Sequence, residues 1–318
     1  MNAPLVIELR ANETVSRAVR ANLPVTPEEV VAGAVAARRA GASILHWHAR
    51  DRRTGEPSND VGLYVDVYRG VREQTDLILH PTLGYLLDQD PIGRTRHIAH
   101  VNNDPAVRVD LAPVDFGSIN VDHWDPEARR FVTEDLVYLN LRRSLRRMLE
   151  TLAALGVPAV SVCWNPGQIR TALRFREMRL LGRTLWEFVF TGETVPDGMP
   201  ATRIALEAMV EQIPAGEPWS VICWNGNVLQ MARWAIELGG HVSVGLGDWG
   251  YDELGSPRNE DIVAHVAAMA TAAGRPIASP DDVRTLLGLP GRRESADASA
   301  PQEQRAAASA VSKPACDR

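Results

Sequence analysis

Short apolar runs and helical stripes alternate eight times within roughly 275 residues, and few architectures accept that rhythm. The runs are Pro4–Leu9, Ser43–His48, Leu77–His80, Val107–Leu111, Ala159–Trp164, Phe188–Phe190, Trp219–Trp224 and His241–Leu246. Between them lie segments with helical signals. Thr26-Pro27-Glu28-Glu29 reads as an N-cap, a proline at N1 and a capping-box glutamate, and its helix stops at Gly41. Leu141, Leu145, Met148, Leu152 and Leu155 make one apolar stripe ending at Gly156. Strands alternating with helices pair in parallel, and eight such units in a chain of this length predict a closed (β/α)8 TIM barrel over an open doubly wound sheet. The Gly-x-Gly-x-x-Gly turn of a dinucleotide fold does not follow the first run.

The barrel is expected to occupy residues 1–290 as a single domain. After a last short helix at Ser279–Leu287, residues 291–318 turn rich in Ala, Ser and Gln, a composition too poor in apolar side chains to offset the entropy of ordering, so this tail is expected to be disordered. Pro113–Phe131 reads as a long irregular loop over the active site.

A barrel of this kind carries its chemistry at the C-terminal ends of its strands. Glu13, His46, His48, Thr82, Asp115 and Asp248 all fall at such ends. His46 and His48 are one residue apart at the end of a strand, where side chains alternate, so both point the same way and can share a divalent metal. The same spacing also fits two histidines bonded to backbone or water. His80 reads as a bonded core residue, and His241 and His265 as structural. Trp47, Trp164, Trp224 and Trp249 lie near strand ends, where they can line an apolar pocket or pack the barrel.

Composition narrows the ligand. The formal net charge is -6 with a pI near 5.8 and the basic residues are scattered, which excludes the basic footprint of a nucleic-acid binder and favours a small or coenzyme-sized ligand. No basic segment followed by an apolar stretch opens the chain, and no apolar run reaches membrane-spanning length, so a cytoplasmic protein without a membrane partner is expected. Cys163, Cys223 and Cys316 are far apart, which indicates neither a disulfide framework nor a thiolate zinc site.

Several segments carry a resemblance. Leu23–Glu29, Ala40–Asp51, Thr54–Ser58, Gly198–Thr202, Leu238–Leu246 and Ala278-Ser279-Pro280 run in the order found in the β-keto acid cleavage enzymes, the family that includes 3-keto-5-aminohexanoate cleavage enzyme. The resemblance implies a zinc-bearing barrel that exchanges acyl groups between a 3-keto acid and acetyl-CoA, giving acetoacetate and a new acyl-CoA. It implies His46 and His48 as the metal pair, Asp248 as the base that makes a carbanion from the acetyl-CoA methyl, and Glu13 as a site glutamate. Thr82 matches the hydroxyl residue that binds the substrate carboxylate. Asp115, Trp164 and Asn165 stand at substrate-binding positions with altered identities. A homo-oligomer, a tetramer by resemblance, is implied as well.

The departures sit at the reaction centre. Where the family's last strand ends Arg-Val-Gly-Leu-Glu-Asp, supplying a third metal ligand and an arginine for the catalytic aspartate, this chain reads Ser243-Val244-Gly245-Leu246-Gly247-Asp248. A water, Asp248, Glu13 or another carboxylate must then complete the metal site. Two other readings compete: an amidohydrolase-like metal-dependent hydrolase, which places its His-x-His on the first strand rather than the second, and a catalytically silent ligand-binding barrel. The keto acid is unspecified, with the tryptophans and lost charges pointing to a neutral, apolar or aromatic side chain.

Overall fold

Alternation along the chain becomes a ring in space. The computed structural model describes residues 3–84, 90–102, 104 and 107–291. Its main sheet has eight parallel strands: β1 (Ile7–Arg10), β2 (Ile44–His46), β3 (Ile78–Leu79), β4 (Ala112–Asp115), β5 (Ala159–Cys163), β6 (Trp186–Thr191), β7 (Trp219–Trp224) and β8 (His241–Val244). Ladders join them in the order β3-β2-β1-β8-β7-β6-β5-β4, so each strand lies beside its neighbours in sequence and β8 returns to β1. This is the (β/α)8 barrel that the repeat predicts. A short strand at Met199–Pro200 adds to β6 at its outer end.

The ring closes between β3 and β4 without a regular ladder. Leu79 O accepts from Asp110 N at 3.1 Å and Leu111 N at 3.0 Å. Leu79 N donates to Asp110 Oδ2 at 2.8 Å, and the same carboxylate holds Arg72 at 2.6 Å and Arg284 at 3.0 Å. The Asp110 side chain therefore adds to two backbone bonds at this seam the donor partner that a ladder supplies elsewhere in the barrel.

The helix layer forms for local reasons. Helix α1 (Pro27–Ala40) starts on a complete capping box, in which Thr26 accepts from Glu29 N and the Glu29 carboxylate accepts from Thr26 N. It ends at Gly41, whose φ of 120° suits glycine alone. Outward side chains such as Ile7, Leu9, Leu45 and Phe188 pack against the helices in one large cluster. Each such burial contributes about 1.5–3 kcal/mol. Inward Val6, Ile44, Ile78 and Val160 pack with Val283 and Leu287 of α9 (Pro280–Leu287), which closes the end of the barrel opposite the strand C-termini.

Three sequence expectations change. The fourth strand is Ala112–Asp115, not Val107–Leu111, because Pro113 occupies a ladder position that a first-pass reading treats as a breaker. Pro113–Phe131 is not one irregular loop. Beyond β4 it folds into two antiparallel ribbons, Ile119–Asn120 with Val137–Tyr138 and Trp124–Asp125 with Arg130–Phe131. Trp47 lines no pocket: it is fully buried in the helix layer, edge-on to Tyr68 at 5.3 Å. The expectation of a disordered tail falls on residues 292–318, outside the described residues.

Asp110→Ala would leave Arg284 and Leu79 N without their carboxylate at the one unladdered joint. A loss of about 3 kcal/mol is expected in urea unfolding, and a loss under about 1 kcal/mol would show that the seam does not depend on this residue.

Candidate active site

Side-chain alternation decides what meets inside the barrel. On β1, Ile7 and Leu9 face the helices while Glu8 and Arg10 face inward. His46 on β2 and His48 just past it join them, as do His80 and Thr82 past β3, Asp115 on β4, Trp164 past β5, Glu187 on β6 and Trp224 on β7. Arg10, Glu13, His46, His48, Thr82, Asp115, Trp164, Glu187 and Trp224 border a cavity open at the strand C-termini.

The histidine pair is held on a carboxylate. Glu13 Oε1 lies 3.1 Å from His46 Nε2, and Glu13 Oε2 lies 3.0 Å from His48 Nε2. Nδ1 of His46 lies 2.9 Å from the His80 carbonyl, so it carries the proton and leaves Nε2 with its lone pair toward Glu13. Burial lowers the His46 pKa to about 3, so the ring is neutral. Asn12 fixes the other histidine through both backbone groups, accepting from His48 N at 2.9 Å and donating to His48 O at 3.1 Å. Burial alone would favour the neutral acid at Glu13, but the Arg10 guanidinium outweighs it and holds the carboxyl well below its usual range. Donor atoms of Glu13, His46 and His48 all lie within 4.8 Å of one another, a two-nitrogen, one-carboxylate set suited to a divalent metal.

Arg10 couples this set to Asp248. Its Nη2 lies 2.7 Å from Glu13 Oε1 and its Nε donates to Asp248 Oδ2 at 2.8 Å. Burial pushes the Asp248 carboxyl up to about 7; Arg10 opposes the rise and Glu13 adds to it. Asp248 Oδ1 is buried without a hydrogen-bond partner. The residue is 2% exposed and bonds Arg10, which borders the cavity.

Beneath the histidines runs a buried polar chain. His80 Nδ1 lies 2.6 Å from Glu8 Oε1, Ser243 Oγ donates to Glu8 Oε2 at 2.6 Å, and Glu187 adjoins both. Burial and the nearby Glu8 raise Glu187 well above the carboxylate range, so it holds a proton. His80 thus orients His46 through its carbonyl, while its ring serves the barrel interior. His241 accepts from Val6 N at 3.1 Å, and His265 is exposed on α8 (Asn259–Ala272).

On the far side, Asp115 accepts from Tyr138 Oη and from Trp164 Nε1, each at 2.8 Å. Thr82 lines the cavity and accepts from Gly84 N at 3.2 Å. Asn165 is placed elsewhere. It is the N-cap of α5 (Pro166–Glu177), accepting from Gln168 N at 3.1 Å, and it borders a separate surface cleft. Trp249 is 38% exposed, away from the cavity.

Sequence reasoning missed Arg10, Glu187 and Tyr138. The signal for the first two is the parity of Ile7-Glu8-Leu9-Arg10 and Trp186-Glu187-Phe188, where a charge interrupts an apolar strand on its inward register. Tyr138 carries no such mark: its two-residue strand, Val137–Tyr138, lies beyond the Pro113–Phe131 segment and is too short to show a period.

A sequence model of the beta-keto acid cleavage enzyme family matches residues 4–289. The chain belongs to that family. It is 28% identical over 271 residues to the 3-keto-5-aminohexanoate cleavage enzyme of Fusobacterium nucleatum, covering 84% of this chain and 91% of the relative. It is also 28% identical over 300 residues to 3-dehydrocarnitine:acetyl-CoA trimethylamine transferase of Rhizobium meliloti, covering 89% and 94%. Among solved structures, ObcA in a binary complex with oxaloacetate superimposes with a TM-score of 0.66 at 16% identity, covering 84% of this chain and 67% of that one. At that identity the likeness shows the barrel.

In this β-keto acid cleavage enzyme, Gly247 and Glu13 compete for one space. A Cβ at 247 would lie 2.6 Å from Glu13 Cγ and 2.8 Å from Glu13 N. Gly247→Ala is therefore expected to cost about 1–3 kcal/mol in chemical unfolding. Combined with Glu13→Gly it should cost less than the two single losses added together. Strict additivity in the double-mutant cycle would rule out the steric link.

Proposed function

We propose that this chain exchanges acyl groups between a 3-keto acid and acetyl-CoA, releasing acetoacetate and a new acyl-CoA, with a divalent metal, Zn2+ by its donor set, on His46, His48 and Glu13. The observation that carries the reading is the convergence of Glu13 on both imidazole Nε2 atoms beside the Arg10–Asp248 pair, in a chain of this family. The relatives' names supply the acetyl-CoA and keto-acid chemistry.

Atom balance fixes the order of steps. Loss of a proton from C2 of the keto acid gives a carbanion that attacks the thioester carbon of acetyl-CoA and expels the coenzyme thiolate. The thiolate then adds to the C3 ketone, the C2–C3 bond breaks, and the electron pair returns to C2, leaving acetoacetate and the acyl thioester. Starting from the acetyl-CoA methyl, as the resemblance implied, joins the carbons in a way that cannot release acetoacetate. C2 is also the more acidic position, because ketone and carboxylate both flank it.

The chain's residues divide the work. His46, His48 and Glu13 would hold a divalent metal, which would supply Lewis acidity for the keto group. Thr82, on the same wall, holds the substrate carboxylate. Asp248, raised toward neutrality by burial, takes the C2 proton, and Arg10 beside it keeps its other oxygen in place. Asp115 and Trp164 shape the opposite wall. A cytoplasmic setting and a homo-oligomeric, tetrameric assembly belong to the same proposal. The free buried thiols of Cys163 and Cys223 fit a reducing compartment, and exposed Phe131, Val132 and Val137 on the ribbons fit a subunit contact. Among the described residues no helix is long and apolar enough to cross a membrane.

Metal analysis should find about one zinc per chain, lost in His46→Ala and bound at least about tenfold more weakly in Glu13→Gln. A coupled assay should detect acetoacetate formed from a panel of 3-keto acids with acetyl-CoA. No acetoacetate from any of them would sink the exchange reading, and keto-acid hydrolysis without coenzyme would favour a hydrolase. Asp248→Asn should lower deuterium uptake at C2 by about 10²–10⁴-fold while zinc content is retained. Unchanged uptake would remove Asp248 from the proton step.

A further inference from the structure

The cavity has two unlike halves. Toward β1–β3 its wall is charged and polar, made by Arg10, Glu13, His46, His48 and Thr82. Toward β5–β7 it is Val162, Trp164, Val189, Ile222 and Trp224, with Glu187 the one charged type among them. The two tryptophans meet edge to face, with centroids 5.5 Å apart and planes at 72°, and His123 from the ribbon packs on Trp224 at 5.9 Å. The indole N–H of Trp164 is turned away to Asp115, which leaves apolar ring surface for the cavity.

Every charge bordering the apolar half is already engaged. Asp115 uses one oxygen for Tyr138 and the other for Trp164. Arg10 is divided between Glu13 and Asp248. Glu187, on the floor, shares its proton with Glu8 beside Ser243. An ammonium or carboxylate seated against β5–β7 would lose its water and find only carboxyl and guanidinium groups whose hydrogen bonds are already made within the protein, an arrangement that disfavours binding. A substrate group with no charge loses nothing there and buries apolar surface.

Resting on the exchange reading above, we propose that the β5–β7 half receives the variable group R of R–CO–CH2–COO⁻, and that R is neutral and apolar, an aromatic or branched alkyl chain packed on Trp164 and Trp224. The carboxymethyl end lies toward Thr82 and the histidines. Trp224 is then a specificity residue, remote from the bonds that break.

Two measurements on the zinc-loaded full chain test this. In the first, kcat/KM is compared, at fixed acetyl-CoA, for 3-oxo-5-phenylpentanoate and 3-oxo-5-methylhexanoate against 3-keto acids ending in an ammonium, a trimethylammonium or a second carboxylate. The neutral pair should be favoured at least about 100-fold, in the range that a missing polar partner imposes. Trp224→Ala should raise KM for the phenyl substrate about tenfold with kcat little changed. Equal or better turnover of any charged substrate overturns the proposal, including a trimethylammonium group held on the indole faces. In the second, quenching of tryptophan fluorescence by the same keto acids is titrated without acetyl-CoA, so the pocket is read even if no exchange occurs. Tighter binding of the neutral pair with no turnover would sink the exchange reading and keep the subsite. Absence of that preference would sink the subsite whatever the turnover.

Discussion

A single buried guanidinium organises the mouth of this barrel. Arg10 touches Glu13 on one side and Asp248 on the other, and none of the three is more than a tenth exposed. Removing charges from water costs several kcal/mol each unless they are paired and hydrogen-bonded. The cost of burying Arg10 is met only because both carboxylates reach it. The trio carries a net negative charge beside two imidazoles, of which His46 is neutral. A divalent cation on the Glu13 side is what would balance it. The Glu13–His46–His48 group and the Arg10–Asp248 pair are therefore one electrostatic unit, in which a change of charge at any member is felt by the others.

The loops that carry this unit are tied by arginines to main-chain carbonyls. Arg50 donates to the carbonyls of Asn12 and Glu13. Arg20 donates to Leu246 O, and at 2.8 Å to each of Gly247 O and Asp248 O. Glu13 itself has a φ of 25°, uncommon for a residue with a side chain, and Arg50 helps hold it there. Asn12 links the same turn to both backbone groups of His48. The turn after β1, the turn after β8 and the second histidine are thereby fixed to one another by the chain's own hydrogen bonds, as an accurately placed set of donor atoms requires.

How much of this was legible follows from which forces act locally. Caps, glycine stops and the alternation of periods are short-range, so the barrel and seven of its eight strand positions could be read along the chain. The fourth strand could not, because Pro113 hides it and its closing partner is a side chain, Asp110, rather than a ladder. His46, His48, Thr82 and Asp115 could be placed at strand ends by counting, and all four reach the cavity. Asn165 could be placed there too, yet its side chain turns to cap the helix that begins beside it, a local demand that sequence position does not reveal. Arg10 was overlooked because its meaning depends on Asp248, 238 residues away.

That oversight changes how the departures at Ser243 and Gly247 are understood. Compared position by position with the resemblance, β8 has lost an arginine and a carboxylate ligand. In space, β1 is the strand beside β8, with Glu8 opposite Ser243, and Arg10 extends from β1 to Asp248 while Glu13 fills the volume against Gly247. An arginine and a carboxylate therefore stand at this mouth on β1 and the turn after it, beside the strand that leads to Asp248. A side chain at 247 would collide with Glu13, so the glycine and the glutamate belong to one packing arrangement. A barrel interior sets what chemistry stands at a point, and adjacent strands can exchange the duty of delivering it. Equivalence at this mouth therefore has to be judged by where the charged atoms lie rather than by which strand carries them.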